Sequence, residues 1–117
     1  MFETGVDITS IKEIKKKYNN RLVERILSTR EMAVFNLITD DNRKYTYLAG
    51  RFAAKEALFK AFKVGDKTAN YRDFSVLNDS NGAPYFEACQ YLTNYEVKIS
   101  ISHTNEYAVA FVILIKN

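Results

Sequence analysis

One cysteine (Cys89), one proline (Pro84), four glycines and no tryptophan occur in this 117-residue chain. A lone thiol excludes an internal disulfide and, with no second cysteine nearby, argues against a zinc site; a reducing, cytoplasmic setting is expected. The few glycines form no phosphate loop of the GxxxxGK[ST] type, and no Pro/Gly-rich linker, repeat or low-complexity tract divides the chain. Long apolar runs are missing too. The longest, Tyr107 to Ile115, is about half of the roughly 20 residues a membrane-spanning helix needs, and no basic-then-apolar leader opens the chain, so a soluble protein without a membrane partner is expected. With 47% hydrophobic residues the chain can bury a core of its own, which makes residues 1–117 a single domain on expectation.

The net charge of +3 is mild, but Lys12, Lys15, Lys16, Lys17, Arg21 and Arg25 crowd into one early segment. Such a face suits an acidic protein, a phosphorylated ligand or nucleic acid, or it is merely a solvated helix surface. Ahead of it, Phe2 to Ile8 reads as a strand, and Ser10 with Glu13 has the capping-box spacing that starts a helix. Ser28 and Glu31 repeat that box. Thr39-Asp40-Asp41 then breaks the chain and caps a helix expected from Asp41 to Lys63, with Gly65 ending it. The period changes after that. Phe74 to Leu77 and Tyr85-Phe86 flank Asn78 to Gly82 as a hairpin, Val97, Ile99 and Ile101 alternate with polar residues, and Tyr107 to Ile115 reads as a buried strand. His103-Thr104-Asn105 forms the tight turn between those last two strands. The fold class is α+β, an antiparallel sheet packed on one long helix with shorter N-terminal helices.

The stretch Arg51 to Ala61 sets charged groups into the apolar stripe of that long helix. At about 100° per residue Leu48, Phe52 and Phe59 share a face, Glu56 lies beside Phe52, and Lys60 follows one turn later. Either Glu56 and Lys60 form an ordinary surface pair or they mark a site at the edge of the core. Asp7 falls at a strand-to-helix junction, where it is a cap or a ligand; His103 is a turn residue or a binding one. Read as a set, Asp7, Glu56, Lys60 and His103 suggest a phosphate and metal site. Two carboxylates without His or Cys partners are oxygen ligands of the kind Mg²⁺ takes together with waters and substrate phosphates, and Lys60, Arg51, Lys44 and Arg43 are suited to phosphate oxygens.

Three segments then carry a resemblance: Gly5-Val6-Asp7-Ile8, Leu48 to Ala61, and Ile99 to Thr104 ahead of Ala108-Val109-Ala110. In order and spacing they resemble the three signatures of the phosphopantetheinyl transferases, and within them the small bacterial holo-acyl-carrier-protein synthases. The resemblance implies transfer of the 4′-phosphopantetheine arm from coenzyme A to a serine of apo acyl carrier protein, releasing 3′,5′-ADP, with Mg²⁺ required, in the service of fatty acid biosynthesis. It implies that Asp7 and Glu56 hold the metal, that Lys60 contacts phosphates near the reacting centre, and that Arg51, His103 and Thr104 hold the nucleotide end with its 3′-phosphate. Arg43 and Lys44 are expected as cofactor-binding phosphate contacts from their chemistry, in a neighbourhood where family members vary.

The resemblance also implies a homotrimer with its sites between subunits. Its first helix departs from the family pattern, carrying Glu13-Ile14 where a basic residue commonly precedes Ile, so carrier-protein docking falls to Lys12, Lys15, Lys16, Arg21 and Arg25. The competing reading is a non-enzymatic basic module for nucleic acid or an acidic protein, whose carboxylates only cap and pair.

Overall fold

A computed structural model describes residues 1–63 and 69–117. Strand β1 (Phe2–Ser10) leads into three short helices, α1 (Ile11–Lys17), α2 (Asn20–Ile26) and α3 (Thr29–Phe35), and then into the long helix α4 (Asp41–Phe62). A 3₁₀ turn (Tyr71–Asp73) precedes the hairpin β2 (Val76–Asn78) and β3 (Pro84–Phe86). A second turn (Gln90–Leu92) leads to β4 (Tyr95–His103) and β5 (Tyr107–Lys116). The three long strands form an antiparallel sheet in the order β1-β5-β4, and α4 lies across one face of it.

Local chemistry places the helix starts where the sequence does. Ser10 Oγ accepts from Glu13 N at 3.2 Å, and Asp40 Oδ2 accepts from Arg43 N at 2.9 Å at the head of α4. At Ser28 the capping box is complete, with Glu31 N donating to Ser28 Oγ and Ser28 N donating back to Glu31 Oε1. The basic segment falls on two helices. Asn19 Oδ1 accepts from Leu22 N at 2.8 Å, an N-cap that restarts the chain as α2 and divides Lys12 to Lys17 from Arg21 and Arg25. At the far end of α4, Lys63 turns to a φ of +61° just after Phe62, one residue before the expected end; Gly65 lies outside the described residues.

The core-facing surface of α4 is built of alanine more than of the phenylalanine stripe expected. Ala49, Ala53, Ala54, Ala57 and Ala61 are fully buried with Leu48 and Leu58, whereas Phe52 and Phe59 are only half-buried. The reason is how closely helix and strand approach. A Cβ on Gly5 of β1 would sit 1.8 Å from the Ala57 carbonyl oxygen, so only glycine fits opposite, and small side chains let the backbones come together. Ala108 and Ala110 of β5 continue this layer.

β5 is buried on one face only, which corrects the fully buried strand expected. Ala108, Ala110, Val112 and Leu114 face α4, while Tyr107 and Phe111 are exposed on the other face beside Val6 and Ile8 of β1. Period-2 geometry sends alternate side chains outward, and among the described residues Val6, Ile8, Tyr107 and Phe111 on that side remain exposed. In the hairpin, Gly82 adopts a φ of +82° and donates to Asp79 O at 2.9 Å.

Candidate active site

Asp7 points from β1 towards α4, and of the four residues expected to form one set, Asp7 and Lys60 pair directly. Lys60 Nζ donates to Asp7 Oδ1 at 3.2 Å and to Val6 O at 3.0 Å, so Lys60 pairs across to the strand and not with Glu56 along its own helix. Asp7 Oδ2 accepts from Thr9 Oγ1 at 2.9 Å. Glu56 Oε1 accepts from the Tyr71 hydroxyl at 2.8 Å. A cavity of about 350 Å³ opens here, lined by Thr9, Glu13, Arg25, Phe52, Glu56 and Tyr71. Burial, then the hydrogen bond and charge of Glu56, push the Tyr71 phenol up to about 12. It therefore stays a protonated donor at neutral pH.

No three His, Cys, Asp or Glu side chains converge on one metal-sized space among the described residues. A pair of carboxylates from β1 and α4 is a donor set that fits Mg²⁺, an oxygen-seeking ion that keeps waters and takes substrate phosphates; it does not fit a zinc site closed by protein ligands.

The residues expected at the nucleotide end separate into three environments. Arg43, His103 and Thr104 line a second cleft, of about 370 Å³, with Asn42, Tyr47 and Asn105. Thr104 also builds the turn, since its Oγ1 accepts from Glu106 N and Tyr107 N, both at 3.1 Å. Lys44 is directed elsewhere, its Nζ 5.7 Å from the centre of the Phe35 ring. Arg51 is buried. Its Nε and Nη2 donate to Val76 O at 3.3 and 3.2 Å, Nη2 also reaches Asn78 Oδ1 at 3.3 Å, and its guanidinium lies 4.3 Å from the Tyr47 ring centre, which places it beneath the cleft and not in its wall.

Sequence reasoning missed Thr9, Tyr71 and the Lys55–Glu31 pair. Thr9 was legible in principle, because residues two apart on a strand share a face. Tyr71 carried no local signal, being one of eight tyrosines. Lys55 next to Glu56 reads as one more charge on a helix, yet it is fully buried, donating to Glu31 Oε1 at 2.5 Å and to Ile26 O at 2.6 Å. Glu31 Oε2 in turn accepts from Val76 N at 2.7 Å. This network fastens α2, α3, α4 and β2 together behind the cavity.

Residues 3–112 match the 4′-phosphopantetheinyl transferase superfamily. A relative from Acholeplasma laidlawii (strain PG-8A), a holo-[acyl-carrier-protein] synthase, is 54% identical over 110 residues, covering 94% of this chain and 92% of the relative. The crystal structure of a holo-(acyl-carrier-protein) synthase from Bacillus anthracis str. Ames, in complex with CoA (3′,5′-ADP), superposes with a TM-score of 0.88 at 36% identity and covers 98% of this chain and 96% of that one. The enzyme of the same name from Neisseria meningitidis gives a TM-score of 0.85 at 31% identity over 97% and 98% of the two chains. The chain belongs to the 4′-phosphopantetheinyl transferase superfamily and, within it, to the family of holo-[acyl-carrier-protein] synthases. It is an enzyme, and the non-enzymatic basic module falls away.

Proposed function

We propose that this chain, as one domain, transfers 4′-phosphopantetheine from coenzyme A to a serine hydroxyl of apo acyl carrier protein in a Mg²⁺-dependent reaction. The serine oxygen forms a bond to the phosphorus that carries pantetheine; the bond from that phosphorus to the bridging oxygen breaks, and 3′,5′-ADP leaves. The observation that carries this reading is the pairing of Asp7 with Lys60 across β1 and α4, one helical turn from Glu56, which itself lines a cavity. Asp7 and Glu56 would hold the ion. When bound it supplies electrostatic stabilisation of the charge that builds on the diphosphate as the bridging bond breaks.

The chain's own groups do the rest. Lys60 has three ammonium donors, of which, among the described residues, Val6 O and Asp7 Oδ1 occupy two, and the third is suited to a phosphate oxygen on the leaving side. Its side chain is 56% exposed and reaches solvent, as a group that meets an incoming diphosphate must. Arg43, His103 and Thr104 bind the nucleotide end in the second cleft, with Lys44 close by in sequence and Arg51 supporting the cleft through Tyr47. His103 acts there by binding and not as a general base.

We also propose that the functional unit is a homotrimer with its sites between subunits. Along α4, the thirteen rises from Arg43 to Glu56 span about 20 Å. The 3′-phosphate and the diphosphate of coenzyme A hang from one ribose and are much closer than that, so one chain does not serve both ends; a neighbouring subunit's cleft facing this cavity would. The exposed apolar face of β1 and β5, with Phe2, Val6, Ile8, Tyr107 and Phe111, is the surface to bury in that assembly. The substrates set the reaction in the cytoplasm, in fatty acid biosynthesis. Incubation with apo acyl carrier protein, coenzyme A and Mg²⁺, read by intact mass, tests the activity: the carrier protein gains one phosphopantetheine. No gain with the metal present overturns it.

A further inference from the structure

Tyr71 reaches Glu56 from a separate part of the chain. It opens the 3₁₀ turn that follows α4, where Asn70 N donates to Asp73 Oδ2 at 2.7 Å and Asp73 N to Asn70 O at 3.0 Å. The next residue, Phe74, is buried in the core. The Tyr71 ring is wedged between Phe52 and Phe59, with ring centres 5.3 Å away on each side, and the Arg25 guanidinium lies 5.9 Å over it. Only the hydroxyl leaves this apolar slot, and it ends on Glu56 Oε1.

A glutamate side chain on a helix has three torsions to fix, the last of them broad, before its carboxylate points one way. We propose that Tyr71 is a positioning residue for the Glu56 carboxylate, its hydroxyl holding Oε1 so that Oε2 is presented to the metal; this rests on the reading of Glu56 as a ligand. Among the described residues Tyr71 is the hydrogen-bond donor to Glu56, and Oε2 carries no partner. Asp7 differs, since Thr9 holds its Oδ2 while Lys60 holds its Oδ1. A tyrosine has two torsions, both fixed here by ring packing, so the order it imposes costs little side-chain entropy. Partners that orient ligating carboxylates in this way are worth about 10–100-fold in metal affinity.

The hydroxyl separates cleanly from the ring. Tyr71→Phe keeps the contacts with Phe52, Phe59 and Arg25 and removes only the donor. With Mn²⁺ as the probe and coenzyme A present but no carrier protein, so that nothing turns over, free Mn²⁺ is read by electron paramagnetic resonance for the unaltered protein, Tyr71→Phe and Glu56→Gln. The expected result is Mn²⁺ binding weaker by about tenfold in Tyr71→Phe and by more in Glu56→Gln. In turnover, the Mg²⁺ concentration for half-maximal rate rises by the same factor while kcat at saturating Mg²⁺ stays within about twofold. Unchanged Mn²⁺ affinity in Tyr71→Phe, with affinity lost in Glu56→Gln, overturns the positioning role alone. Unchanged affinity in Glu56→Gln overturns the ligand reading and this inference with it. A fall in kcat or in thermal stability without a change in metal affinity makes Tyr71 merely structural and also overturns it.

Discussion

Lys55 and Glu31 form an ion pair in which neither side chain has any exposed surface. The same Glu31 carboxylate closes the cap of α3 and accepts from Val76 N, so one charge joins two helices and a strand. Lys55 sits immediately before Glu56 in α4, with its side chain fully buried. The residue that anchors the helix and the residue offered to substrate are thus adjacent in sequence.

Removing one partner of such a pair leaves an uncompensated buried charge. Lys55→Met should therefore destabilise the fold by about 3–5 kcal/mol, measured by urea unfolding. A loss under about 1 kcal/mol would show that the network tolerates an isolated Glu31.

Glu56→Gln preserves size and can still accept from Tyr71, so far-ultraviolet circular dichroism should be unchanged. Turnover should fall by about 100-fold or more, the scale of one electrostatic contact made to the transition state. Near-normal turnover at saturating Mg²⁺ rules out Glu56 as a metal ligand.

His103→Ala opens the cleft shared with Arg43 and Tyr47. It should raise the KM for coenzyme A more than that for 3′-dephospho-coenzyme A, because the lost partner serves the 3′-phosphate. Equal losses for both remove His103 from that role, and a pH-dependent fall in kcat with unchanged KM would make it a general base.

The basic residues of α1 and α2 stay on the surface, where salt screens them over about 10 Å at 0.1 M. The double reversal Lys16→Glu and Arg21→Glu should raise the KM for acyl carrier protein and flatten its salt dependence, with coenzyme A affinity unchanged. Unaltered carrier-protein kinetics would move the docking surface elsewhere.

At alkaline pH the phenols govern. The folded protein keeps the Tyr71 proton to about pH 12, whereas an unfolded tyrosine releases its proton near 10.0, so the folded state binds more protons in that window and stability falls as pH rises through it. Burial acts on Lys55 in the opposite sense. Its pKa is lowered, the unfolded chain binds the extra proton, and stability from that group rises with pH towards 10.5. Unfolding in urea at about pH 8 and about pH 11 should show a net fall, shallower in Tyr71→Phe. An equal slope in the variant shows that another group governs it.

Elements whose causes are local could be placed from the amino-acid order. Ser10, Ser28 and Asp40 start helices because a side-chain oxygen meets a backbone amide three residues on, and Asn81-Gly82 turns because glycine tolerates positive φ. Asp7, Glu56 and Lys60 stand out in the sequence because polar groups at the edge of an apolar pattern need a use, and the structure brings Asp7 and Lys60 together. Tertiary structure alone decided the pairing. Lys60 reaches Asp7 and not Glu56, Tyr71 claims Glu56, and Lys55 disappears inward to Glu31, since each partner is at least fifteen residues away in sequence. Helical spacing tells which side of α4 a residue occupies, but the groups that arrive there are set by how closely Gly5 and Ala57 let strand and helix approach.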